Sequence, residues 1–328
     1  MILEEGSPIM GVNRDKPDLW KADTARSVDM YNEWFINFAP EAFRNTRIRT
    51  TKAVEQTLKA TGNLTDIRTA ILKENPSVLP TLRMSTCPPL AVDRLIGLAR
   101  VSQNLVHSME EGKLPPRMPG QELENQLEKI SLIIGKMADP DIFVWLNGEN
   151  KPTRREIYRA ATIVADRLCG SVANPIIRNA QEKRQLAGIA AWLEARNYQE
   201  LPTGDVTKFN AMRAGTFAFR MNVTIEQEGA GKSVNIPIDA VVMPKTAEPG
   251  DFPLLIEAKS AGDFTNVNKR RKEEATKIAQ LRQTYGQRIR FILFLCGYFD
   301  GSYLGYEAAE GIDWVWEHRI DELAEFGL

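Results

Sequence analysis

The sequence predicts a mixed α/β protein, mainly helical in its N-terminal half and sheet-bearing in its C-terminal half. Three observations carry this. Residues 20–170 read mostly as helix, with apolar positions at helical spacing. After Gly215 the pattern changes to short runs rich in aromatic and β-branched residues. Between the last two of these runs lies a long polar stretch of helical character.

The elements follow in order. Asp23 to Phe38 places Ala25, Val28, Tyr31, Phe35 and Phe38 near helical spacing. Prolines punctuate Pro76–Pro89 and Lys113–Gly120, and KLPPRMPG in the second stretch is the best linker or long-loop candidate. Thr153 and Glu156 form a capping box that opens a helix to Leu168, and Gly170 suits its C′ position. Asn174-Pro175 then reads as an N-cap with proline at the first helical position, opening a further helix to about Asn197. The domains expected are 1–170, helical, for dimerisation or DNA contacts, and 171–328, carrying the sheet. Phe217–Ile225, Val234–Met243 and Phe252–Ile256 read as strands joined by short connections, which favours an antiparallel meander. Asn268–Tyr285 reads as helix and Phe291–Cys296 as a fourth strand, parallel because a crossover precedes it.

Composition bounds the function. The 328 residues suffice for about two domains. With 42 Lys+Arg against 43 Asp+Glu the net charge is −1, so any basic surface must be local. A 43% apolar and 26% charged content excludes a disordered chain and a histone-like coat. Cys87, Cys169 and Cys296 lie too far apart for a zinc motif and are expected as reduced thiols. His107 and His318 are the only histidines, which argues against paired-histidine chemistry. MILEEGSP lacks signal-peptide character, and no apolar run is long enough to span a membrane. The expectation is a soluble, cytoplasmic protein.

The charged positions inside the apolar runs carry the chemistry. Asp239 interrupts one run, and Glu257 and Lys259 close the next. A strand buried on both faces rarely carries charge, because an unpaired buried charge is costly. Glu257 and Lys259 are two apart and share a face. Asp239 and Glu257 are symmetric about residue 248, inside the turn-like KTAEPGD. Pairing across that loop sets the two acids opposite or diagonal, within about 5–8 Å. Two carboxylates that close repel unless a cation lies between them, and Mg²⁺ takes such oxygen ligands while keeping waters. Lys259 could orient or deprotonate a water, or stabilise a phosphate. Alone, Glu-x-Lys is a common surface triplet; register, strand context and the polar helix that follows carry the reading together.

Pro237-x-Asp239 followed by Glu257-x-Lys259 resembles the signature of the PD-(D/E)XK nuclease superfamily, whose core is a helix, a three-strand meander, a helix and a strand. The chain also resembles the XamI family of type II restriction endonucleases through KADTARSVDMYNEWF, ADRLCG, NPIIRNAQEKRQL, NIPIDAVV, LLIEAKSAGDFTNVNKRRKEEA, FLCGYF and GYEAAEGIDWVWEHRIDEL. The resemblance implies a homodimeric, Mg²⁺-dependent endonuclease that cuts both strands of duplex DNA and leaves 5′-phosphates, in a restriction-modification system with a DNA methyltransferase. The family's namesake recognises 5′-GTCGAC-3′. Carried over by position, Asp239, Glu257 and the Ala258 carbonyl would ligate the metal, and Lys259 would act on the attacking water. The superfamily often adds a glutamate from the preceding helix; Glu182 is the candidate and Glu194 the competitor. A repair or recombination nuclease of the same superfamily, and a catalytically silent DNA-binding module, stay open as alternatives.

Ser260–Lys272 follows the catalytic strand and offers Asn266, Asn268, Lys269, Arg270, Arg271 and Lys272 to phosphates and base edges. Arg178 and Arg184 are further phosphate candidates. Arg44, Arg47, Arg49 and Lys52 read as an ordinary surface helix. Gly229–Ser233 imitates a phosphate-binding loop, but Glu226 stands where its first glycine belongs and a strand follows, so it reads as a hairpin turn. The tryptophans, including those of Asp313-Trp314-Val315-Trp316, read as core.

Overall fold

The structure, a computed structural model, describes residues 11–148, 151–202, 208–226, 233–264 and 267–328; for 268–271 it describes the backbone alone. MILEEGSP, the Gly229–Ser233 turn up to residue 232, and Asn266 lie outside the described residues. The chain forms two compact units: residues 38–177, and the residues up to Asn37 together with Arg178–Leu328. The division expected at 170/171 therefore shifts by a few residues, and the N-terminal segment joins the sheet-bearing unit.

Two long helices belong partly to each unit: α1 (Pro17–Ala60) and α7 (Arg154–Glu194). Each contains a proline, Pro40 and Pro175. The break expected between Gly170 and Pro175 is absent. A proline inside a helix leaves the carbonyl four residues back without its amide partner. At Pro175 that carbonyl belongs to Ser171, which is exposed, as are Val172 and Asn174. Water can therefore satisfy it. The capping box at the start of α7 forms as expected: Thr153 N donates to Glu156 Oε2 at 2.7 Å, and Glu156 N to Thr153 Oγ1 at 3.3 Å.

Unit 38–177 also holds α2 (Thr69–Glu74), α3 (Leu79–Met84), α4 (Val92–Ala99), α5 (Gln103–Glu110) and α6 (Gly120–Met137). Leu72, Leu82, Leu95, Leu105, Leu127 and Ile130 are fully buried in one core. The KLPPRMPG stretch is the loop between α5 and α6, inside the unit. Arg47 is exposed and pairs with Asp166, consistent with a surface helix.

The other unit is built on a six-stranded mixed sheet, in the order β1 (Gln199–Glu200), β2 (Thr216–Glu226), β3 (Ser233–Val242), β4 (Leu254–Ala261), β5 (Arg290–Gly297) and β6 (Asp313–Trp316). β2, β3 and β4 form the antiparallel meander, and β5 runs parallel to β4 after the crossover helix α8 (Val267–Tyr285). The expected helix, meander, helix and strand are all present. Strands β1 and β6, both parallel to their neighbours, add to it. Leu186, Ile189 and Leu193 of α7 pack with Ala240, Ile256 and Phe294 on one face. Ile278 and Leu281 of α8, with Leu304 of α9 (Gly301–Ala309), pack with Val241, Leu255 and Leu293 on the other. The sheet is thus a middle layer between helices. The three cysteines are unbridged. Among the described residues no helix is long and apolar enough to cross a membrane.

Candidate active site

The site forms where β3 and β4 part. Their pairing runs through Val242↔Leu254, Val241↔Leu255 and Ala240↔Ile256. The next step along this register sets Asp239 level with Glu257, as the symmetry about residue 248 predicts. Beyond it β3 stays paired with β2 alone. Pro237, with no amide hydrogen to give, lies in that one-sided stretch. The Ala258 amide bridges the fork by donating to Asp239 Oδ2 at 2.9 Å.

The ladder between β2 and β3 also lapses here. Phe219 pairs with Ala240 and Met221 with Ile238, but Arg220 and Asp239 between them do not pair. Arg220 has φ +52°, a left-handed backbone uncommon for a non-glycine residue. Apolar side chains change face on either side of it: Phe217 and Phe219 belong to the α7 side, Met221 and Val223 to the α8 side. The break frees Asp239 from strict alternation. Arg220 reaches across to pair with Glu182 of α7 at 2.8 Å.

Charges converge on Glu257, which is 6% exposed. Lys259 Nζ is 3.0 Å and Lys277 Nζ 2.7 Å from the same oxygen, Oε1. Lys259 Nζ also lies 3.1 Å from Glu274 Oε1, a carboxylate of α8 that is 1% exposed. Burial, and next the Glu257 charge, push the Asp239 carboxyl up to about 6. Burial opposes the Lys259 ammonium, but Glu257 and Glu274 outweigh it and hold it above its ordinary value. In this state Lys259 donates protons and does not accept them. Behind it Glu307 of α9 is fully buried; desolvation, then Glu274, push its carboxyl up to about 8.

One face of α7 completes the site. Arg178, Gln181, Glu182 and Gln185 follow helical spacing and, with Tyr31, Lys259 and Gly262, line a cleft of about 750 Å³. Gln185 Nε2 donates to the carbonyls of Lys259 and Phe294, both at 3.3 Å, and ties β4 and β5 to α7. Gly297 ends β5 with φ +101°; a side chain there would strike the Ala261 carbonyl at 2.1 Å.

The structure brings together Asp239, Glu257, Ala258, Lys259, Glu182 and Arg178. Glu194, exposed at the end of α7, is not among the residues lining the cleft. Arg184 pairs with Glu317 at 2.8 Å and lies over the Trp34 ring, and it is not among the residues lining the cleft. Lys272 is exposed; Asn268, Lys269, Arg270 and Arg271 have helical backbone at the start of α8, and their side chains lie outside the described residues. Glu274 and Lys277 were missed. The signal was available: Glu274 falls on the stripe of Val267, Ile278 and Leu281 that α8 buries, where a lone carboxylate is out of place.

No three His, Cys, Asp or Glu side chains form a closed metal cage among the described residues. The donors present suit a different cation. Glu257 Oε2 is buried with no hydrogen-bond partner among the described residues, one strand from Asp239. Two carboxylates and a backbone carbonyl, with coordination left for water and phosphate, fit Mg²⁺.

Sequence relatedness supplies the class of protein: a restriction endonuclease. The XamI restriction endonuclease family matches residues 62–316. A type II restriction enzyme, SalI of Streptomyces albus G, is 54% identical over 318 residues, covering 96% of this chain and 99% of that protein. No solved structure matches the chain. The chain belongs to the XamI restriction endonuclease family, and it is a site-specific nuclease.

Proposed function

We propose that this enzyme cleaves both strands of duplex DNA by Mg²⁺-dependent hydrolysis of phosphodiester bonds, leaving 5′-phosphates, within a PD-(D/E)XK core. The observation that carries the reading is the level placement of Asp239 and Glu257 at the β3–β4 fork, with Lys259 two residues on. Asp239, Glu257 and the Ala258 carbonyl would hold the ion. When bound, Mg²⁺ supplies Lewis-acid polarisation of the phosphate and a more acidic water. Lys259 brings an ammonium, anchored by Glu274, to the charge that grows on the phosphate. Glu182, held by Arg220, adds a carboxylate on the α7 side of Asp239. Arg178 offers a cation at the cleft wall.

The DNA contacts proposed remain Asn266, Asn268, Lys269, Arg270, Arg271 and Lys272, directly after the catalytic strand. The target proposed is 5′-GTCGAC-3′, a palindrome that a two-fold homodimer would read. A cell holding such an enzyme in its cytoplasm needs a DNA methyltransferase to protect its own copies of the site. The test is digestion of two plasmids, with and without GTCGAC, in Mg²⁺ and in EDTA, followed by sequencing of the ends. Discrete cutting of the first plasmid in Mg²⁺ alone is expected. Equal cutting in EDTA sinks the metal dependence, and cutting of both plasmids sinks the site.

A further inference from the structure

Lys277 belongs to no motif in the sequence, yet it shares an atom with the proposed metal site. Its Nζ donates to Glu257 Oε1 at 2.7 Å and to the Pro237 carbonyl at 3.3 Å. Lys259 donates to the same Oε1 at 3.0 Å. One oxygen of Glu257 therefore carries two ammonium groups, while the buried Oε2 has no hydrogen-bond partner among the described residues. The lysines differ in what else holds them. Lys259 has a second carboxylate, Glu274, at 3.1 Å. Lys277 has a neutral carbonyl, left open because β4 does not pair with β3 at Pro237. A divalent cation on Glu257 would repel both ammonium groups, and Lys277 is the less firmly anchored.

We propose that Lys277 is a positioning residue that neutralises Glu257 in the DNA-free enzyme and competes there with the divalent ion. This rests on the metal-dependent reading above. The competition couples metal to substrate. A phosphate in the cleft adds the negative charge that lets lysine and ion coexist, so DNA tightens metal binding and metal tightens DNA binding by the same factor. The free enzyme then loads metal poorly, and the complete site assembles on DNA.

The test measures Mn²⁺ affinity of the whole protein without DNA, by electron paramagnetic resonance of unbound Mn²⁺. Lys277→Met removes the competing charge at similar length, and Lys277→Gln keeps a donor for Pro237. Both should bind Mn²⁺ about 5- to 30-fold more tightly, the range for one charge near 4 Å in a partly screened site. Structural damage would move affinity the other way. Glu257→Gln locates the ion. If it leaves Mn²⁺ affinity intact, the metal-site reading itself fails. If it abolishes Mn²⁺ binding while both Lys277 variants bind no more tightly than the parent, the competition is overturned and the metal site stands.

Discussion

Arg220 stands across from Asp239 at the position where the β2–β3 ladder lapses, with its backbone at φ +52° and its guanidinium on Glu182. Left-handed backbone costs a non-glycine residue about 1–2 kcal/mol. The exposed ion pair with Glu182 returns little, on the order of 0–1 kcal/mol. Arg220→Gly should therefore keep or raise thermal stability while slowing cleavage, because Glu182 loses its tether. Arg220→Ala keeps the strain without the pair and should be the less stable of the two. Melting curves beside single-turnover rates test this; equal melting points for the two variants would contradict it.

Asp239→Asn, Glu257→Gln and Lys259→Met should each slow cleavage at least ~100-fold, the scale for losing one preorganised charge. Their binding of duplex DNA in Ca²⁺ should persist. Wild-type cutting by any one variant removes that residue from the active site.

Glu307 makes stability fall with pH. Its folded pKa of about 8 exceeds the ordinary 4.5, so the native state holds a proton that the unfolded chain releases. The stabilisation is complete below about 4.5 and is lost as pH rises towards 8. Glu307→Gln is neutral throughout. It should match the parent near pH 5 and exceed it near pH 9. Each pKa unit realised corresponds to about 1.4 kcal/mol, or roughly 2–4 °C for a unit of this size. A melting-point difference that stays flat across this range refutes the assignment.

Arg184 and Arg178 should separate cleanly. Arg184→Met breaks the pair with Glu317 and should destabilise the enzyme by about 1–3 kcal/mol without changing the salt dependence of DNA binding. Arg178→Met should leave stability alone and flatten the salt slope by about one. The reverse result would restore Arg184 as a phosphate contact.

The meander and the acid pair were legible because one short loop fixes an antiparallel register, and residue 248 marks its centre. Lys259 followed from alternation. Glu274 and Lys277 approach the site from α8, across a crossover whose docking no local pattern sets. Strand β1 has two residues and β6 four, too short for periodicity to separate them from loop. The DWVW residues, read as core, are buried as that strand. Pro175 misled because a proline after asparagine is a strong start signal; exposure at Ser171, invisible in sequence, lets the helix run through.

The backbone amides of Val12, Asn13 and Arg14 donate to the Asp313 carboxylate at 2.6, 3.0 and 3.0 Å. These partners lie some 300 positions apart. On a ribosome adding about 5–20 residues per second, the first of them waits on the order of 15–60 seconds for the second. The helical unit 38–177 is contiguous and can form meanwhile. The sheet-bearing unit is completed by its last strand, β6, so the β3–β4 fork emerges before the strand that closes the sheet on which it sits.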